Sequence, residues 1–230
     1  MYKFAGLYVD YEPIYPRLSR QSEIYKCNGE NVVPNIKIRF PNGFLEQKQK
    51  ENPHLTLEAC EYIWTGSEFY EVLPEFDAFL LHSSAVVYNN EAYLFSAPSG
   101  TGKSTHTQLW VKQFEGAYIL NDDKPAIKRE DGKFFVYGTP FSGKSDLNVN
   151  ARVPLKGICL LRRDTTNHSE KVSTEEALFE ILNQTCRPID EDRMSKLLDI
   201  LDALVTTVPI HKLFCNMDPQ AALVSYNAMK

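Results

Sequence analysis

No Cys-x-x-Cys pair occurs in this sequence. Its five cysteines (Cys27, Cys60, Cys159, Cys186 and Cys215) are odd in number and scattered over the chain. That excludes a disulfide framework or a zinc site of familiar spacing, and leaves reduced thiols packed in a core as their ordinary use. Basic residues are also in deficit, with 25 Lys and Arg against 30 Asp and Glu and a formal net charge of −5. Nucleic-acid binders carry a basic field, so no nucleic-acid partner is expected. Long apolar runs are missing as well. The best one is interrupted by His82, Asn89-Asn90 and Glu91, so neither a membrane span nor a membrane partner is expected. Met1-Tyr2-Lys3-Phe4 opens no apolar leader, and the chain reads as cytoplasmic. Internal repeats, low-complexity tracts and an Asn-Lys-x-Asp guanine motif are all absent from the sequence.

What is present is a globular balance, 43% hydrophobic and 24% charged over 230 residues. It suits an α/β domain with a smaller appendage, or two small domains. Residues 1–75 are expected to be a small β-rich region. Ile36, Ile38 and Phe40 alternate with Lys37 and Arg39 there, prolines mark turns, and residues 47–52 read as a polar loop. Residues 76–230 are expected to form the nucleotide-binding core. Strands are predicted over 79–88, 91–97, 117–121 and 155–161, with a helix over 104–113. Asp131-Gly132 predicts a hairpin between 125–128 and 133–137. Past Asp164 the pattern turns helical, over 173–184 and 190–205, with a strand over 209–216 and a closing helix capped by Asp218.

The sharpest motif is Ala97-Pro98-Ser99-Gly100-Thr101-Gly102-Lys103-Ser104, followed by Thr105. Glycines at the third and first places before the lysine let the backbone take positive φ and turn its N–H groups inward. Those amides and the positive end of the following helix cradle polyphosphate oxygens. Lys103 supplies a charge to the outer phosphates, and the Ser104 hydroxyl suits magnesium. A nucleoside triphosphate with Mg2+ is therefore expected at this loop. One helix and a turn later, Asp122 and Asp123 end a short apolar strand. That spacing lets the strand return beside the one feeding the loop, with both carboxylates near the terminal phosphate. Adjacent residues on a strand point apart, so one can face magnesium and the other a substrate hydroxyl. Lys144, in a glycine-containing loop, is a candidate contact for the transferred phosphate, although a solvated lysine is the commoner fate. His106 reads as structural or exposed, and His82 lies in an apolar stretch.

Leu81-His82-Ser83-Ser84-Ala85-Val86, the loop Ser99-Gly100-Thr101-Gly102-Lys103-Ser104-Thr105 and Asn121-Asp122-Asp123-Lys124 together resemble the HPr serine kinase/phosphorylase family. The likeness is narrower still to its kinase-only relatives, and spans about residues 77–163. It implies the phosphoenolpyruvate carboxykinase-like P-loop fold, an α/β kinase core with a mixed sheet, to which the small β-rich N-terminal region and the helical C-terminal part read above are added; it covers the helical end loosely and residues 1–74 poorly. It implies transfer of phosphate from ATP to a hydroxyl of a serine or a small molecule, and a possible homo-oligomer. It places Asp122 as general base assisted by His82, and Asp123 as magnesium ligand with Ser104; the reverse assignment stays open. Thr139-Pro140-Phe141-Ser142-Gly143-Lys144 stands where the family carries a glutamate-containing segment, and the family's late Arg-Pro-Gly-Arg segment is missing. The acceptor and any reverse phosphorylase reaction are therefore not carried over. A nucleotide-binding regulator or slow hydrolase without acceptor is the alternative, and a carboxykinase ranks lower because the chain is short.

Overall fold

The computed structural model describes residues 1–29 and 31–230. The chain opens with an antiparallel pair, β1 (Tyr2–Phe4) and β2 (Leu7–Asp10), followed by helix α1 (Pro16–Ser22), whose first position is the proline that suits a helix start. Then come β3 (Ile36–Lys37), parallel to β2, and helices α2 (Phe44–Glu51) and α3 (Leu57–Glu71). The β-rich expectation for residues 1–75 therefore fails, since helices hold more of this region than its three short strands. The polar loop expected at 47–52 is mostly helix. It buries only Leu45, so it shows no apolar period, and it closes its last turn with Gln47–Glu51 and Lys48–Glu51 contacts. The Thr56 hydroxyl caps α3 by accepting from the Ala59 N–H.

The rest of the chain builds a mixed sheet from β4 (Ala78–Leu80), β5 (Ser83–Tyr88), β6 (Glu91–Ser96), β7 (Tyr118–Asp123), β8 (Ala126–Glu130), β9 (Lys133–Tyr137), β10 (Arg152–Arg163), β11 (His168–Lys171) and β12 (Ile210–Cys215). The order is β4-β8-β9-β10-β6-β5-β7, with β12 paired to β10 and β11 to β12. β10 is parallel to both β6 and β12. Helix α4 (Lys103–Gln113) follows β6, α5 (Thr174–Leu182) and α6 (Glu191–Thr207) follow β11, and α7 (Gln220–Met229) closes the chain. Alternation along the strands divides the core. Tyr93, Phe95, Cys159 and Leu161 pack with Trp110 of α4 and Met229 of α7, whereas Leu94, Ile158 and Leu160 pack with Leu197, Leu201 and Leu204 of α6. The buried Trp110 indole N–H donates to the Ser225 hydroxyl at 2.8 Å, so its polar handle is satisfied inside the apolar layer.

Several expectations are redrawn. The single strand over 79–88 breaks at Leu81-His82. There the backbone is tied to the segment after α5, with Leu81 bridged to Thr185 and the His82 N–H donating to Gln184 O at 2.7 Å. The predicted hairpin is present, with Asp131 and Gly132 at φ 49° and 74°, the doubly positive pair a two-residue turn requires. β11 is an extra strand in the stretch read as helical. Asp218 sits one place ahead of the α7 cap position, Pro219, and its carboxylate still accepts from the Gln220 N–H at 2.8 Å. No described helix is long and apolar enough to cross a membrane.

Candidate functional site

β6 ends at Ser96 and runs directly into the loop. Gly100 and Gly102 take φ 77° and 121°, values open to glycine and costly for other residues, and α4 begins at Lys103. The loop is compact. Lys103 is 8% exposed, and its ammonium donates to Ala97 O at 2.9 Å and lies 3.5 Å from Pro98 O. Burial pulls the Lys103 pKa down, while Asp123 and Asp122 pull it back up. Arg163, at the end of β10, braces the turn from outside by donating to the Thr101 and Gly100 carbonyls.

The two aspartates arrive at the same end of the sheet by a different route from the one expected. β7 does not lie beside β6; β5 runs between them, antiparallel to both. Ser83 at the start of β5 is level with Ser96 on one side and Asp123 on the other, so His82 enters the site with the aspartates. The Ser104 hydroxyl donates to Asp122 Oδ1 at 2.9 Å. His82 Nε2 faces Asp123 Oδ1 at 3.2 Å, while its Nδ1 meets Gln184 Oε1 at 3.0 Å, so the ring is clasped at both nitrogens. Ser104 is thus paired with Asp122, and His82 with Asp123, opposite to the partners the resemblance implied. Burial alone would raise the Asp123 pKa. The His82 hydrogen bond and the nearby Lys124 and Lys103 charges outweigh it and hold the carboxyl below its ordinary value.

Asp123 also carries backbone strain, at φ 136°. Such a conformation costs a non-glycine residue about 1–3 kcal/mol and persists only where the surroundings impose it. Asn121 is one such constraint: its amide donates to Thr139 O at 2.8 Å, and its side-chain oxygen accepts from the Lys124 N–H at 3.0 Å. Gly143 is another. It lies at φ 69°, and a Cβ there would come within 2.9 Å of the Asp123 Cβ. Only glycine lets the 139–148 loop press this closely on the acid. Ser83 and Ser84 are not placed as nucleophiles; Ser83 donates to Leu81 O, and Ser84 shares a hydrogen bond with Thr107 at 2.9 Å.

The first 75 residues hold that loop. The Gly143 N–H donates to the Tyr62 hydroxyl at 2.9 Å, and Arg17 donates to Gly143 O while its guanidinium lies 3.8 Å above the Tyr62 ring. Arg20 pairs with Asp146, Gln21 contacts Ser142, and Phe141 is buried among Phe4, Tyr62, Phe69 and Tyr70. Burial pushes the Tyr62 pKa up to about 12, so it stays a neutral hydroxyl.

The result is a cleft of about 460 Å³ lined by His82, Ser99, Gly100, Lys103, Ser104, Asp122, Asp123, Gly143 and Lys144 among others. The structure therefore gathers His82, Ser99, Gly100, Gly102, Lys103, Ser104, Thr105, both aspartates and Lys144 around one space, whereas Ala97, Pro98 and Thr101 do not line it. Sequence reasoning missed Gln184, Arg163, Tyr62, Arg17 and Gly143. Their contacts span tens of residues and leave no local signal.

No family model matches the chain, and no curated protein matches it. Among solved structures it is similar to the Hpr(Ser) kinase/phosphatase from Coxiella burnetii, at 11% identity over 64% of this chain and 91% of that one, with a TM-score of 0.35. A likeness of that degree is too slight to carry any argument about the cleft.

Proposed function

We propose that the cleft binds Mg-ATP and transfers its γ-phosphoryl group to a hydroxyl, of a serine or of a small molecule. The observation that carries this reading is the convergence of the loop, Lys103, a Ser104–Asp122 pair and a His82–Asp123 pair on one cleft. The loop amides and Lys103 bind the phosphates and neutralise the migrating charge. Ser104 and Asp122 are hard oxygen donors held together, which suits magnesium. No described cluster of three or more His, Cys, Asp or Glu could hold a metal by itself, and magnesium characteristically takes one or two protein oxygens and completes its shell with phosphate and water. Bound there, the ion would supply charge stabilisation to the phosphates.

Asp123 removes the proton from the acceptor hydroxyl. The acceptor oxygen forms its bond to the γ-phosphorus, the bond from phosphorus to the bridging oxygen breaks, and ADP leaves. His82, fixed by Gln184, orients Asp123, and the Gly143–Lys144 segment forms the acceptor-side wall, with Lys144 available to the transferred group. This reverses the roles the resemblance gave the two aspartates. The reversal is supported by the Ser104–Asp122 contact and by the His82 contact to Asp123.

The test is calorimetric titration of Mg-ATP into the protein and its Lys103→Ala variant, followed by incubation with γ-labelled ATP and a pool of proteins and metabolites. Expected results are loss of binding in Lys103→Ala, and label on an acceptor that depends on the wild-type protein. Unchanged affinity in the variant would overturn the nucleotide site. Release of free phosphate with no labelled acceptor would make the protein a hydrolase instead.

A further inference from the structure

A cavity of about 400 Å³ lies on the seam between the N-terminal region and the main sheet, and shares no residue with the cleft around Lys103. One wall is the β1–β2 turn, residues 3–6, with Lys26 and Cys27 beside it. The other is Tyr137 with residues 150–152, which lead into β10. The turn is tight: Ala5 and Gly6 take φ 51° and 72°, the doubly positive pair of a two-residue hairpin. It rests on the core, since a Cβ at Gly6 would meet Lys128 Nζ at 3.3 Å and Tyr137 Oη at 3.6 Å. The Asn150 amide ties the two walls, donating to Ile24 O at 3.1 Å and lying 3.5 Å from Lys3 O.

The charge at this seam runs against that of the whole chain. Lys3, Lys26 and Arg152 line the cavity, and Lys128 stands beside its turn. Glu23 takes Lys26 at 2.6 Å, and Glu130 takes Arg152 at 2.6 Å with Lys128 at 3.9 Å. Burial alone would raise the Glu130 pKa; hydrogen bonds from the Tyr137 hydroxyl and Arg152 outweigh it and lower it, so Glu130 stays ionised. Lys3 lies 4.9 Å above the Tyr8 ring and 3.4 Å from its hydroxyl. Among the described residues, four cations thus meet two paired carboxylates, in a protein whose formal net charge is −5. A concave, low-dielectric wall focuses such a field and gathers anions. Ala151, Cys27 and the methylene stems of the lysines and Arg152 give the same walls apolar carbon.

We propose that this cavity binds a small organic anion, a carboxylate or phosphate head group carried on an apolar body. The head group meets Lys3, Lys26 and Arg152, and the body lies against Ala151 and Cys27. Exposed ion pairs by themselves contribute little, so the affinity comes from burying the body while the cations select its charge. An occupant touches the N-terminal turn and the entry to β10 together, and so pins one to the other. The proposal is independent of the reading of the Lys103 cleft.

The experiment titrates 1-naphthoate, 1-naphthyl phosphate, the neutral 1-naphthamide and inorganic phosphate by calorimetry into the wild type and into a Lys3→Gln, Lys26→Gln double variant, whose two changes are at exposed positions. The location is read at Cys27, whose alkylation by iodoacetamide is followed by mass spectrometry with Cys186 as internal reference. The wild type is expected to bind at least one aromatic anion about tenfold or more tighter than 1-naphthamide. That anion is expected to slow alkylation at Cys27 and leave Cys186 unchanged, and the double variant is expected to lose the preference. The tighter of 1-naphthoate and 1-naphthyl phosphate assigns the head group. Equal affinity of the wild type for the aromatic anions and 1-naphthamide would overturn the site without recourse to any variant. So would a preference that survives in the double variant, or Cys27 alkylation unaffected by saturating anion. Inorganic phosphate binding as tightly as 1-naphthyl phosphate would overturn the apolar half of the proposal.

Discussion

The Ala97–Ser104 loop has two sides, built by opposite means. On the cleft side, Asp122, Asp123, Lys103 and His82 crowd together, one of them at a backbone angle that ordinary residues avoid, and the N-terminal segment grips the wall opposite. On the other side Leu109, Leu161 and Met217 supply apolar surface to a space whose rim is formed by Arg162, Arg163 and Asp164. The first arrangement is sensitive to single atoms, because every charge is restrained by a named partner. The second combines apolar surface with a charged rim. Substitutions on the cleft side should therefore alter transfer, and changes on the cavity side should alter binding or stability.

The largest expected effect is on the cleft side. Asp123→Asn should hold Mg-ATP affinity within a few-fold and lower transfer by about 100- to 10,000-fold, the usual contribution of a positioned base. Single-turnover kinetics with the labelled acceptor checks it. Full activity in this variant would shift the base to Asp122 and restore the assignment implied by the family resemblance.

Next comes a pH effect on the cavity side. The folded-state pKa of His106 is about 4 against an ordinary 6.5, so the unfolded chain binds a proton that the native ring refuses. The stability from this depression is complete above pH 6.5 and is lost as the pH falls toward 4. The expected loss is about 3 kcal/mol at 1.36 kcal/mol per pH unit. Urea unfolding of the wild type and of His106→Gln between pH 7 and 4 measures it, and equal slopes would remove His106 from the account.

Gly143→Ala sharpens the contrast at a smaller scale. A left-handed alanine costs about 1–2 kcal/mol, and its methyl would press on Asp123. Transfer should fall more than stability does, and tripolyphosphate affinity should stay unchanged. The smallest effect is expected from Tyr62→Phe, which removes one acceptor for the Gly143 N–H and should cost about 1 kcal/mol by thermal unfolding. A larger drop in transfer than in stability would show that the N-terminal segment positions the acceptor wall.

The same two sides explain what the sequence revealed. The loop, the aspartate doublet and the strands beside them were legible because each rests on local rules: glycines for positive φ, a helix start after the lysine, an apolar strand ending in acids. His82 was visible only through resemblance, and its partner Gln184 lies 102 positions away. Which aspartate meets Ser104 and which meets His82 was not legible, because adjacent strand residues face apart and spacing does not choose between them. Of the two readings open for His106, structural or exposed, the structure shows the buried one, and its partner Ser225 on α7 lies 119 positions later, so the sequence did not separate them. The N-terminal region misled most. Proline-rich punctuation resembled a β-rich segment, whereas the helices form by packing aromatics such as Phe69 and Tyr70 onto Phe141 of the core.

The ammonium of Lys103, bonded to the Ala97 carbonyl of its own turn, has a kinetic consequence. A turn that closes on its own side chain is ordered before anything arrives. On the proposed reading, an incoming triphosphate has only to draw the ammonium away from main-chain oxygens, and little freedom is left to lose on association. Capture should then run at the pace of diffusive encounter and orientation, without a slow folding step in front of it.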